Sequence, residues 1–255
     1  MIMSAILALA AAAATPVAPA DKWNVDYGKT NCTAVRAFGD PARPTILALQ
    51  PSWHDMRRGE LTVMVPATGE DVGKGTGTLT FAPAGRAARI GYSTWVADGK
   101  RRAYKFLIDA VQMPVLGAAT AITVEAGDEA ETLSTGAIRP VLTALGTCND
   151  TLLRSWGADP AAIADAVDNA GNWLTDNDYP PNALRRHAQG DVIMVLTVTP
   201  EGRTSACKVV ATSGDAELDR KSCDVMRMRG RFVPSKAGTV RYSVKTAHWL
   251  ISPTS

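Results

Sequence analysis

Three histidines, His54, His187 and His248, and four cysteines, Cys32, Cys148, Cys207 and Cys223, are the side chains of this chain best suited to nucleophilic or metal chemistry. Their spacing argues against both. The histidines fall in separate segments without a neighbouring Cys, Asp or Glu in a ligand or triad-like setting, and His54 beside Asp55 would point to the opposite face of a strand. No Cys-x-x-Cys occurs and no histidine stands near a cysteine at metal-ligand spacing, so no metal and no cofactor is expected. Gly73-Lys74-Gly75-Thr76-Gly77 has the composition of a phosphate loop but lacks the Gly-Lys-Ser/Thr ending and is followed by a β-prone run, which predicts a hairpin turn. Glu125, Asp128, Glu129 and Glu131 miss calcium-loop spacing and surround a Gly-Asp turn, which predicts a solvated hairpin tip. The set holds no catalytic residue, and the chain is read as a non-enzyme.

The cysteines carry a different chemistry. Two lie before residue 160 and two after it, so of the three possible pairings the local one joins Cys32 to Cys148 and Cys207 to Cys223. An even count suits an oxidising compartment, with free buried thiols as the bland alternative. Residues 1–20 agree with export: they run apolar from Ile2 to Ala14, break at Pro16 and end Ala18-Pro19-Ala20 before the first charges. That is the pattern of a secretory signal peptide cleaved after Ala20. Its n-region lacks Lys and Arg, and an uncleaved segment would leave the protein membrane-associated.

Composition limits the partners. The chain has 255 residues, 46% hydrophobic, with 27 Lys and Arg against 25 Asp and Glu, enough apolar material for one or two packed cores. So even a balance argues against nucleic-acid binding. The positive charge concentrates late, because residues 179–255 hold 12 basic and 6 acidic residues. Within them Arg220, Lys221, Arg227, Arg229 and Arg231 form a basic cluster, read as a solvated helix face with cations favoured near the helix C-terminus, with an anionic partner such as lipid headgroups, lipopolysaccharide or an acidic peptide as the alternative.

The elements that must position these groups come in two patterns. From residue 21 to 157, β-prone runs at 45–49, 61–65, 76–81, 90–96, 103–110 and 121–126 are punctuated by Gly, Pro and Asp. After Gly136 the period becomes helical through Ile138, Val141, Leu142, Leu145, Cys148, Leu152 and Trp156, which predicts a helical hairpin or bent helix closing an α+β domain. Residues 158–178 read as linker and lead-in. From Tyr179 onward, Pro180 and Pro181 open a short helix ended by Gly190, and 192–199 and 203–212 form a hairpin across Pro200-Glu201-Gly202. Asp215 caps a helix to about Arg229, and 240–250 alternates like a strand with one wet face. Trp156 and Trp249 read as core.

That second order is similar to the TonB C-terminal domain family, over residues of about 172–255. The residues carrying the likeness are Tyr179-Pro180 with Ala183 and Arg185, Gly190 with the following VIMVLTV, and Pro200-Glu201-Gly202-Arg203. They continue in Val209-Val210, Ser213-Gly214, Leu218-Asp219 and Arg231-Phe232-Val233-Pro234. TonB proteins also have a membrane helix and a long Pro-rich spacer, and none of the 15 prolines here forms such a tract. The expected organisation is a signal peptide at 1–20, an α+β domain of unrecognised family at 21–157, a linker at 158–178 and a TonB C-terminal-like domain at 179–255.

The resemblance implies a periplasmic protein-binding module of the TonB-dependent transport system, which takes an extended peptide of an outer-membrane receptor or other envelope protein by strand addition. It places the contact on the last strand, at Val240, Arg241, Tyr242, Ser243, Val244, Lys245 and Thr246, and allows a homodimer through the same edge. Arg241 and Lys245 would also guard an exposed edge against aggregation. Two alternatives stay open: an envelope scaffold or stress protein without energy transduction, and an enzyme with its site in the N-terminal domain.

Overall fold

The computed structural model describes residues 15–53, 55–67, 72–165 and 173–251. His54, Asp168 and most of the export-signal reading lie outside them. The fold is α+β. Among the described residues twelve strands are β1 Asn24–Tyr27, β2 Cys32–Phe38, β3 Thr45–Pro51, β4 Gly59–Pro66, β5 Gly73–Ala82, β6 Arg86–Ala97, β7 Arg101–Ile108, β8 Ala121–Ala126, β9 Glu129–Leu133, β10 Gly190–Val198, β11 Thr204–Ala211 and β12 Arg241–Trp249. The helices are α1 Gln112–Ala118, α2 Arg139–Trp156, α3 Pro181–Arg185 and α4 Ala216–Arg229. A nine-stranded sheet runs β1-β2-β3-β4-β7-β6-β5-β8-β9, and a three-stranded sheet runs β11-β10-β12. The chain divides into two compact units: Met1–Asn24, Val35–Leu49 and Glu60–Val141 form the first, and Val25–Ala34, Gln50–Gly59 and Leu142–Ser255 the second.

The first unit is built on alternation. Leu47 and Leu49, Leu61 and Val63, Leu79 and Phe81 are buried at every second position, as a pleat with one inner face requires. Gly73 to Gly77, expected as a turn, are part of β5 and pair with β6 from Gly73↔Thr94 onward. Their glycines serve packing rather than a turn: a Cβ at Gly75 would lie 2.5 Å from the Tyr92 ring and one at Gly77 3.1 Å from Phe106. The acidic tip is only partly wet. Glu131 is half-buried, and that burial pushes its carboxyl above the usual range.

Residues 17–20, the tail of the predicted signal, are hydrogen-bonded into this unit. Val17 bridges Leu133 on β9 and Pro19 bridges Phe38 on β2. Val17 N donates to Thr132 O at 2.7 Å, Ala20 N to Ala37 O at 2.9 Å and Gly39 N to Ala18 O at 2.9 Å. The segment thereby ties the last strand of the large sheet to β2, and a cut after Ala20 would remove that tie.

The second unit sandwiches the small sheet between two apolar layers. On one face Val192, Met194, Leu196, Ala247 and Trp249 pack with Leu218, Val225 and Met226 of α4 and with Trp173 and Phe232. On the other, Val195 and Val244 pack with Leu153 and Trp156 of α2, Ala158 and Trp53. Helix α2 is one continuous element of 18 residues, where the sequence pattern suggested a hairpin or bend. Its periodicity already satisfied a single amphipathic face, so no break was needed. Strand β12 accordingly has no wet face: Ser243 is 1% and Val244 0% exposed, on opposite sides. Cys32–Cys148 links β2 to α2, and Cys207–Cys223 links β11 to α4.

Candidate partner-binding edges of the small sheet

Helix α4 fixes the geometry of the site. Asp215 ends the preceding turn, and its Oδ1 accepts from the amides of Glu217 at 2.9 Å and Leu218 at 3.3 Å, the N-cap expected from sequence. Asp219 is locked by the same turn, accepting from Thr212 Oγ1 at 2.6 Å and from Ser213 N and Oγ at 2.9 and 2.8 Å. Inside the layer Ser222 Oγ donates to Leu218 O at 2.8 Å and accepts from Trp249 Nε1 at 2.9 Å, so the indole of the last strand is satisfied within the core. Tyr179 packs edge-on to Trp249, with centroids 5.1 Å apart, and its hydroxyl donates to Ala188 O.

The basic cluster is divided by this packing. Arg229 grips Asp178 with two bonds of 2.6 and 3.0 Å and donates to Trp173 O at 2.8 Å, and Lys221 stands 3.4 Å from the same carboxylate. Asp178 is 4% exposed. Burial alone would raise its pKa, but the Arg229 bonds and the Thr175 amide and hydroxyl outweigh that penalty and hold it at about 2. Arg231 is spent on Met228 O and Gly230 O, and Arg227 reaches Asp224 at 3.3 Å. Arg220 has no carboxylate partner among the described residues.

The sheet order leaves β12 and β11 as edges. The seven residues expected at the contact edge fall into distinct environments. Val240 precedes the strand and is 48% exposed. Arg241 donates through Nη2 to Val233 O. The backbone of Tyr242 is taken by the chain itself: Tyr242 N donates to Ala162 O and Ala164 N to Tyr242 O, both at 2.7 Å. Val233 N in turn holds Asp165 O at 2.9 Å. Ser243 and Val244 are buried, and Thr246 is half-buried.

Lys245 is not a wet guard residue. Its ammonium lies 5.5 Å from the centroid of the Trp173 ring and 6.0 Å from that of Phe232, and burial lowers its pKa.

The outward pairing of Tyr242 fixes which amides of β12 face away from β10, a point the sequence left undecided. Pairing directions alternate along an antiparallel strand, so Val244, Thr246 and His248 also direct N–H and C=O outward. Among the described residues none of the three has a backbone partner on that side. The same alternation, carried across β10 through Thr197↔Tyr242 and Thr197↔Ala206, turns Cys207 and Val209 outward on β11. His248 is held to Asp191 at 2.7 Å on the surface, so the histidine nearest the edge has a structural partner. His187 sits at φ 53° after α3, far in function from any triad. Among the described residues no group of three His, Cys, Asp or Glu could hold a metal, and no helix is long and apolar enough to cross a membrane.

Residues 175–249 match the family model described as Gram-negative bacterial TonB protein C-terminal. No curated protein and no solved structure matches the chain. The matched span runs from Thr175, whose amide donates to the Asp178 carboxylate at 3.0 Å, to Trp249, the buried end of β12, and so takes in α3, α4 and the whole small sheet. The second unit therefore carries a TonB C-terminal domain, an interaction module of a family associated with transport across the Gram-negative envelope.

Proposed function

We propose that this protein is a non-enzymatic periplasmic binding module, exported by its N-terminal segment, that captures an extended segment of an outer-membrane receptor or other envelope protein by strand addition to β12. The supporting observation is the open row of outward amides at Val244, Thr246 and His248 on the edge strand of a TonB C-terminal domain. Of the seven residues of the edge reading, Tyr242 is engaged by residues 162–164, so the partner pairs beyond it, from Val244 to His248. Backbone pairing supplies affinity there, and the row is short, which suits a weak and reversible contact. In this reading residues 21–157 are an α+β domain and 158–178 the lead-in whose 162–164 stretch defines where the open edge begins, with most of α2 packed on the small sheet in the second unit.

The test is chemical-shift mapping on the full chain with an eight-residue peptide from the N-terminal segment of a co-encoded outer-membrane receptor. Shifts should cluster at Val244, Thr246 and His248 and vanish in Thr246→Pro, which removes an outward N–H without breaking the β10 ladder. Arg241→Ala should leave binding nearly unchanged. Shifts elsewhere, or binding that survives Thr246→Pro, would reject the β12 edge.

A further inference from the structure

The opposite edge of the same sheet has the features of a second docking site, with a chemistry that β12 lacks. Strand β11 pairs only with β10, and its outward main-chain groups at Cys207 and Val209 meet no backbone partner among the described residues. The side chains of these two residues turn towards α4 and form the floor of a groove of about 370 Å³. Its wall is a single stripe of α4, Ala216, Asp219, Arg220, Cys223 and Arg227, spaced at one and two helical turns. The Cys207–Cys223 bridge spans floor to wall, so the groove keeps its width without a ligand.

The groove lining carries two arginines against one aspartate, so its formal charge is positive. Asp219 is the one acid in the lining, and both its oxygens are already filled by Thr212 and Ser213. Arg220 is unpaired among the described residues, and Arg227 has a single exposed contact with Asp224, of a kind worth little. Seven residues of helix separate the two arginines by about 10 Å. Alternate side chains on one face of an extended peptide stand about 7 Å apart, a distance that flexible arginines bracket.

We propose that β11 and α4 together bind an acidic extended peptide, which adds a strand through the main chain of Cys207 and Val209 and presents carboxylates at alternate positions to Arg220 and Arg227. The occupant is a segment of a protein partner rather than a free anion, because the edge presents carbonyl acceptors as well as amide donors, and an anion can satisfy only the donors. This site is independent of the β12 reading.

The experiment titrates isotope-labelled full-length protein with the synthetic peptide Ac-Glu-Val-Glu-Val-Glu-Val-Glu-NH2 and, in parallel, with its Lys-for-Glu counterpart. Shifts should appear at 205–211 and along the exposed stripe of α4, with the acidic peptide alone. The Arg220→Glu/Arg227→Glu pair, on an exposed helix face that leaves the core intact, should weaken binding at least tenfold. Val209→Pro should abolish it, whereas Thr246→Pro should leave it unchanged, which separates this site from β12. Equal binding of the two peptides, shifts centred on Val244 to His248, or unchanged affinity in the double arginine variant would each overturn the proposal. So would the absence of saturable shifts at millimolar acidic peptide.

Discussion

The two edges of the small sheet are each fastened at one end by the chain itself, and the fastenings differ in kind. On β12 the tie is a backbone bridge, Ile163 against Tyr242, followed by open amides whose neighbouring side chains are largely apolar. Just before β11 Arg203 bridges Arg231, and beyond it a covalent bond ties β11 to α4. A hydrogen-bonded tie can be exchanged for an incoming strand, while a disulfide holds a groove open and cannot be displaced. One sheet thus presents an exchangeable edge and a preset one, and helix α4 serves both: its middle is bonded to β11, and its C-terminal Arg229 anchors the Trp173 backbone whose ring covers Lys245 of β12.

The largest effect that would break this contrast is loss of the bridge on the preset side. Cys207→Ala/Cys223→Ala should destabilise the second unit by about 3 kcal/mol, the loop-entropy value for a separation of 16 residues, read as a shift in denaturation midpoint. It should broaden resonances of β11 and leave those of β12 sharp. Uniform broadening of both would show that the two edges are not independent.

Next in size is Asp178. Its folded pKa of about 2 against a model-peptide value of 3.8 means that the charged form is favoured by folding. Its contribution of about 2 kcal/mol is therefore fully present above pH 4 and lost as pH falls from about 4 to 2. Asp178→Asn should remove most of that acid sensitivity, measured as stability at pH 6 against pH 3, and should loosen the Trp173 and Lys245 packing beneath β12 rather than the disulfide groove.

A smaller change sharpens the exchangeable side. Ala164→Pro deletes the 2.7 Å bond to Tyr242 O, which should cost about 1 kcal/mol and extend by one residue pair the edge available to a receptor peptide. Peptide affinity measured at β12 should rise, with β11 unaffected. In the first unit, a chain beginning at Thr15 should melt a few degrees above one beginning at Asp21, because the shorter chain lacks the four backbone bonds of residues 17–20.

The sequence already carried most of the second unit. The Asp215 cap, the hairpin over Gly202, the long helix α4 and the closing strand are local features, set by capping chemistry, by turn residues and by apolar period. Gly202 shows how tight the turn is: a Cβ there would stand 2.0 Å from Phe232 O, so the turn residue also makes room for the segment after α4. The first unit was legible only in its apolar runs. Across both units, β1 and β2 gave no clear strand signal because they mix charged and polar residues with few large apolar ones, β9 entered only as the far side of the hairpin tip, and α1 was missed because a short segment containing Pro114 and Gly117 gives almost no helical signal.

What the sequence determined by itself was the α+β class, the Cys207–Cys223 pair and the order of elements that marks the C-terminal domain, since each depends on nearby chain, whereas Cys32–Cys148 spans 116 residues and followed only from two cysteines lying on each side of residue 160. What only the tertiary structure decided was how the last strand is covered. Its alternation of Tyr242 and Val244 with Ser243 and Lys245 reads as one dry face and one wet face. Layers from α4 and α2 cover both, and two rings shield the lysine. Which amides face outward was likewise settled by residues 162–164, about eighty positions upstream. A strand's period reports its pleat, but its coverage and its free hydrogen bonds belong to whatever packs beside it, and that is a long-range property no local pattern encodes.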